Sequence, residues 1–230
     1  MISALAVIPS PPFLLPEYAG RIDPDPVLRS ACEEVVGVVA AEADRVLAIV
    51  ATDPDRRHSG DSVGRRVAAT FLGRIPDDVL EVPWDASRED CRALGAAAVE
   101  GHDPTVRLGV VVVADGCATR TEKAPGHLDR RALDVDAAWT KAVGADEFRC
   151  VSPAAMGAAQ GTEIERFAFR PHPQDLLRLD PGLAADLWFV GRALLQALAG
   201  ALIAADTDLE TERFWVGDPF GVRYVVLAAR

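Results

Sequence analysis

The sequence predicts a single α/β domain over residues 1–230, with a central mostly parallel or mixed sheet and helices on both faces. Several apolar runs of strand length lack polar alternation, the clearest being Leu108–Ala114, which is typical of strands covered on both faces. Helical segments separate these runs, which favours crossovers between parallel strands. With 230 residues and 50% hydrophobic content, the chain can form a core without metal or disulfides.

The first part of the chain predicts two buried strands and one helix. Ile2–Ile8 is an apolar run that ends in the cluster Pro9–Pro12, as expected for a strand followed by a rigid loop. Asp25, before a proline, predicts the N-cap of a helix from about Val27 to Ala43. Arg45–Thr52 predicts the second buried strand.

The middle of the chain is less regular. Val63–Trp84 has a mixed pattern, with a weak strand at Val79–Val82. Ser87–Asp90 has the form of a capping box and predicts a helix that continues to about Val99. After the strand Leu108–Ala114 and a long connection, a further helix is expected near Asp134–Ala145.

The last part of the chain predicts a long helix and a hairpin. Leu183–Ala204 has the pattern of one helix that could break at Gly191. Thr211–Val216 and Val222–Leu227 are β-rich runs around a turn of Gly, Asp and Pro, which indicates a C-terminal hairpin.

Composition narrows the classes of partner. The formal net charge is −11, which argues against nucleic acid or an anionic membrane as the main partner. The four cysteines include no CxxC pair, as expected for isolated thiols in a reducing compartment. The start lacks the basic region of a signal peptide, and Arg192 and Gln196 interrupt the most apolar stretch, Leu187–Ala205. We therefore expect a cytoplasmic protein. Whether it forms a homo-oligomer is left open by the sequence.

The loops that follow the predicted strands are where a site is expected. In open parallel sheets, ligands bind beyond the carboxyl ends of the strands. Three loops follow such strands: Pro9–Gly20, Asp53–Gly64 and Asp115–Arg131. We expect them to lie together at one end of the sheet and to form a pocket for a small-molecule ligand.

Polar side chains in these loops are the candidate site residues. Asp115, Glu122 and His58 are the candidate catalytic groups, because carboxylates and imidazoles can transfer protons. The candidate ligand-binding residues are Ser10, Asp53, Asp55, His58, Asp115, Arg120 and Lys123. Arg120 or Lys123 is expected to face the pocket and contribute little to stability. The alternatives are turn chemistry at the aspartates and an exposed ion-pair cluster in the third loop.

No short motif defines a metal or a cofactor. The four histidines form no HxH, HxxxH or HExxH pattern, and the chain has no GxGxxG, P-loop or GxSxG motif. His58 and His127 lie in candidate loops, where each could be a ligand, a catalyst or a solvated loop residue. The residues alone therefore show no local metal signature and predict no cofactor.

Five segments in order along the chain match the pattern of one family. Pro9–Glu17 resembles its P-H-P-P-x-x-x-P-E opening, and Thr52–Asp55 falls at its S-P-H. Asp115–Pro125 resembles G-D-x-S-H…A-P, Val190–Arg192 resembles C-G-R, and Tyr224–Ala228 resembles the closing strand. The chain thus resembles the LigB-like family, meaning the catalytic subunits of class III extradiol ring-cleavage dioxygenases and their Memo-type relatives. The best likeness is to a bacterial branch with I-P-S-P-P, R-x-E-K-A-P and G-R-A-x-x-Q segments, and it implies a LigB-like, phosphorylase-like architecture.

The departures from the family pattern concern its iron ligands. By the resemblance, Ser10 stands at the first histidine ligand, Asp55 near the second, Ala118 near the third histidine of the Memo branch and Val190 at its cysteine. Non-haem Fe(II) oxygenases need about two imidazoles and a carboxylate on one face. Serine and alanine cannot replace these ligands, so no iron or zinc is expected at this edge.

Three functional hypotheses follow. The favoured one is a degenerate LigB-like protein, with its metal site lost, that is not a ring-cleaving dioxygenase and keeps a pocket for a small ligand, which could be anionic. The second is a hydrolase or lyase that uses Asp115, Glu122 and His58, with or without a divalent metal. The third is a class III extradiol dioxygenase with Fe(II) held by His58, His127 and an acid such as Asp115 or Glu122.

Overall fold

The computed structural model describes residues 1–18, 20–52, 61–145 and 170–230. Within these ranges six strands form one sheet: β1 (Ile2–Ile8), β2 (Arg45–Ala51), β3 (Asp78–Val82), β4 (Leu108–Val113), β5 (Thr211–Gly217) and β6 (Tyr224–Ala229). The described helices are α1 (Pro26–Glu42), α2 (Val63–Leu72), α3 (Arg88–Glu100), α4 (Arg131–Ala142), α5 (Pro173–Leu176), α6 (Pro181–Asp186) and α7 (Gly191–Ala205). No helix in the described residues is long and apolar enough to span a membrane.

The sheet is mixed and is covered by helices on both faces. Its strand order is β3-β2-β4-β1-β6-β5, in which the first four strands are parallel. β6 pairs antiparallel with β1, and β5 pairs antiparallel with β6. One core lies between the sheet and α1 and α2, while a second lies on the opposite face against α3 and α7. The predicted α/β class and the C-terminal hairpin are therefore confirmed.

The register of the two central strands sets the geometry of the loops after them. Ile8 at the end of β1 pairs with Val113 at the end of β4. One residue on, the Ala114 amide donates to the Ile8 carbonyl oxygen at 2.8 Å. Ser10 and Asp115 each lie two residues beyond their paired strand ends, so the parallel register brings them level with each other.

Two predicted helix starts are confirmed by their capping hydrogen bonds. Asp25 Oδ1 accepts from the Leu28 amide at 2.9 Å, which caps α1. Ser87 Oγ accepts from the Asp90 amide at 3.0 Å and donates to Asp90 Oδ2 at 2.8 Å, which caps α3. The amides of Leu28 and Asp90 have no acceptor within their own helices, and these side chains supply one.

One helix was not predicted, and two predicted helices differ in their bounds. The mixed segment contains α2, capped by Ser62 and ended by Gly73 with a φ of +64°. α4 begins at Arg131, earlier than predicted. The predicted long helix is two helices, α6 and α7. The residues between them include Trp188, whose φ is +52°, and α7 begins where the Gly191 amide donates to the Asp115 carbonyl oxygen.

Candidate functional site

A cavity of about 1000 Å³ lies at the carboxyl ends of the parallel strands. Strand ends and the first turns of α2 and α7 form much of its wall, together with α6 and the chain after β3. Its polar side chains are those of Ser10, Thr52, Ser62, Asp85, Asp115, Arg192 and Tyr224. Most of the other lining residues are apolar, and they include Trp84, Trp188 and Phe189. The position is the one expected for a ligand site in an open α/β sheet.

Ser10 and Asp115 form a hydrogen-bonded pair in this cavity. The Ser10 amide donates to Asp115 Oδ1 at 2.8 Å, and Ser10 Oγ donates to Asp115 Oδ2 at 2.6 Å. Both carboxylate oxygens are thus held by one residue of the neighbouring loop. The structure brings these two residues together as the sequence predicted, and the strand register is the cause.

Burial raises the pKa of two groups in the cavity, the carboxyl of Asp115 and the phenol of Tyr224. Removal of the Asp115 carboxyl from water raises its pKa, while the two hydrogen bonds from Ser10 oppose that rise without cancelling it. Burial also raises the pKa of Tyr224, so its phenol keeps its proton. The cavity therefore combines a carboxyl group that retains a proton more readily than an ordinary aspartate with the hydroxyl groups of Ser10 and Tyr224, which is a set suited to hydrogen bonding or proton transfer.

Asp115→Asn is expected to stabilise the protein at neutral pH by about 0.5–2 kcal/mol, because the neutral amide avoids the desolvation cost of a buried carboxylate. Because the folded-state pKa of Asp115 is raised, the folded protein binds more protons than the unfolded chain between the unfolded and the folded pKa values. The contribution of the group to stability is therefore complete below its unfolded pKa and is lost as the pH rises through its folded pKa. Urea unfolding at several pH values would measure the effect.

The matched control for this experiment is Asp103→Asn. Hydrogen bonds from Thr105 hold the pKa of Asp103 below its usual value, so this carboxylate stabilises the fold above its unfolded pKa. The variant should not gain stability at neutral pH. An Asp115→Asn protein that loses stability at pH 7, or gains equally at pH 3, would contradict the assigned environment.

The predicted site residues of the third loop other than Asp115 do not line the cavity. Arg120, Glu122 and Lys123 do not line it, and Glu122 and Lys123 are exposed. His127 is also exposed and lies outside the lining. Asp53, Asp55 and His58 lie outside the described residues.

Arg120 lies in a buried ion-pair network. Its NH1 donates to Asp136 Oδ2 at 2.9 Å, and its Nε donates to Asp218 Oδ2 at 2.9 Å. The side chain of Arg120 is 8% exposed and that of Asp136 is fully buried. The expectation that Arg120 contributes little to stability was based on an exposed loop, and it is corrected by this burial.

Sequence reasoning did not assign several residues of the cavity wall. Trp84 and Trp188 expose large aromatic surfaces at the cavity, and Arg192 and Tyr224 are buried beside it. A signal existed for Arg192, since it is a charged residue inside an otherwise apolar helix. No sequence signal distinguishes the two tryptophans from residues of the core: Trp84 lies in the chain after β3, and Trp188 lies between α6 and α7.

Potential metal ligands do not cluster among the described residues. No group of three His, Cys, Asp or Glu within residues 1–18, 20–52, 61–145 and 170–230 could hold a metal ion. Cys32, Cys91 and Cys117 are buried free thiols, and burial raises the pKa of each. These three thiols therefore remain protonated at neutral pH.

No protein-family model and no curated protein matches the chain. The LigB-like likeness therefore stays a prediction from the sequence segments, and the function is inferred from the geometry of the cavity.

Proposed function

We propose that this chain binds a small, largely apolar ligand in the cavity at the carboxyl end of its sheet. In this proposal it is a LigB-like protein that has lost the iron ligands and does not cleave aromatic rings. The observation that carries the proposal is the cavity itself, whose volume of about 1000 Å³ and mainly apolar lining are those of a small-molecule site.

The Ser10–Asp115 pair supplies the polar contact that would orient such a ligand. Ser10 Oγ donates to Asp115 Oδ2, so its own lone pairs remain available to accept from a ligand. When protonated, Asp115 can in turn donate to a ligand oxygen. A small number of polar groups in an apolar pocket is the usual basis of ligand orientation.

The side chains at the family's ligand positions support a function other than ring cleavage. Ser10, Ala118 and Val190 all line the cavity, and none of them carries an imidazole or a thiolate. Asp85 and Asp115 are the carboxylates of the described lining, which has no histidine. A non-haem Fe(II) oxygenase needs about two imidazoles, and the described residues at the family's ligand positions supply none.

Blocking the cavity is expected to weaken ligand binding at least tenfold. Ala185→Trp places a large side chain at an exposed position of the cavity wall, where it should fill space without disturbing the core. Ala40→Trp is the control, because Ala40 is exposed on α1 and outside the cavity. Binding of cyclohexanecarboxamide and hexanamide would be measured by NMR titration. Equal affinities in the two variants would contradict the proposed site.

The same preparation tests the alternative of ring cleavage. Protein loaded anaerobically with Fe(II) and then exposed to catechol and oxygen should leave the catechol ring intact. Stoichiometric iron that resists gel filtration, together with ring-opened product, would overturn the proposal in favour of an extradiol dioxygenase.

A further inference from the structure

The guanidinium of Arg192 is buried with neutral hydrogen-bond acceptors around it. Only 2% of the residue is exposed. NH1 donates to the Ala86 carbonyl oxygen at 2.7 Å and to Gln196 Oε1 at 3.0 Å, and NH2 donates to the Trp84 carbonyl oxygen at 2.7 Å. The thiol of Cys91, 3.7 Å from NH1, is neutral because burial raises its pKa. Nε has no hydrogen-bond partner among the described residues.

No counter-ion for this charge is found among the described residues. Arg192 forms no ion pair there; Asp85 acts on it only at longer range and is itself exposed. Asp115 accepts from the Gly191 amide through its main-chain oxygen, while its carboxyl is bonded to Ser10. Buried charges in proteins are normally paired, because an isolated one has a large desolvation cost. Burial accordingly lowers the pKa of Arg192.

The position of Arg192 in α7 adds a second positive feature. Arg192 lies in the first turn of this 15-residue helix, whose N-terminal end carries roughly half a positive elementary charge. That first turn contains no acidic residue, and no side chain caps it. Anions are stabilised at such helix ends, whereas a cation there is unfavourable. The charge and the helix end therefore both favour an anion at this part of the wall.

We infer that the ligand of this cavity is an apolar monocarboxylate whose carboxylate lies at the first turn of α7 beside Arg192. The inference rests on the proposed ligand-binding function. Val190, Gly191 and Arg192 all line the cavity, so an anion bound there would supply the counter-charge that is not found among the described residues. The aromatic surfaces of Trp84 and Trp188 elsewhere on the wall would contact the apolar body.

Matched acids and amides test the inference. Cyclohexanecarboxylate and hexanoate would be compared with cyclohexanecarboxamide and hexanamide by NMR titration at pH 7. In the wild-type protein each acid should bind about tenfold more tightly than its amide, as expected for one charge-assisted hydrogen bond in a desolvated site. Arg192→Gln should remove this preference. Arg178→Gln, at an exposed arginine outside the cavity, should keep it.

Each outcome decides one proposal or both. Amides that bind as tightly as the acids would overturn the carboxylate inference and leave the ligand-binding proposal standing. A preference for acids that survives Arg192→Gln would remove Arg192 from the site. Failure of all four compounds to bind would contradict both proposals. The comparison of acids with amides in the wild-type protein needs no variant, so it tests the carboxylate inference even if Arg192→Gln does not fold.

Discussion

Arg120→Ala is expected to lower the free energy of unfolding by about 3–5 kcal/mol, the usual cost of removing one partner of a buried ion pair. The variant leaves the carboxylate of Asp136 fully buried without its cation. It also removes the ion pair with Asp218, which joins the loop after β4 to the turn of the C-terminal hairpin. For a chain of 230 residues this corresponds to a fall in Tm of roughly 10 °C.

The large effect depends on what else Asp136 holds. Its Oδ1 accepts from the Cys117 amide at 3.0 Å and from Trp139 Nε1 at 2.8 Å. The carboxylate thus joins the loop after β4 to α4, and Arg120 supplies the charge that makes its burial tolerable. Loss of that charge should disturb the network rather than one surface contact.

Lys123→Ala is the control for this prediction. Lys123 lies three residues on in the same loop and is exposed, so its loss should change the free energy of unfolding by less than about 0.5 kcal/mol. Urea denaturation followed by far-UV circular dichroism would compare the two variants. An Arg120→Ala protein of wild-type stability would show that the network is not a structural element.

Gly95→Ala is expected to destabilise the protein by about 3 kcal/mol or more, although alanine favours a helix over glycine by about 1 kcal/mol. Gly95 lies in α3, and a Cβ atom there would come within 1.8 Å of the carbonyl oxygen of Ala197 in α7. The reciprocal contact is at Gly200, whose Cβ would lie 2.1 Å from the carbonyl oxygen of Arg92. Both clashes involve backbone, so the helices must separate.

Gly37→Ala in α1 is the matched control, because nothing lies within 4 Å of the Cβ atom it would add. This variant should gain about 0.4–1 kcal/mol. Chemical denaturation would measure the change in the free energy of unfolding for each variant, and the two changes should have opposite signs. A stabilised Gly95→Ala protein would show that α3 and α7 are not packed as closely as described.

Part of the candidate site follows directly from local sequence signals. The apolar runs before Pro9 and Asp115 predict strands, and parallel strands place the loops after them at one edge of the sheet. The contact between Ser10 and Asp115 needs only that topology and the register of β1 and β4. Arg120 is different, since a charged loop residue gives no local sign that Asp136 will lie buried beside it.

The sequence by itself determined the α/β class, the strand runs, the caps at Asp25 and Ser87 and the edge of the sheet that carries the cavity. These features depend on residues close together in the chain, whose periodicity and capping chemistry are local. Only the tertiary structure decided that Arg120 is an ion-pair partner and that Arg192 and the tryptophans reach the cavity. Burial and side-chain hydrogen bonds join segments far apart in the chain, as the bond from Arg192 to the carbonyl oxygen of Trp84 does across 108 residues, and they depend on packing that no local pattern records.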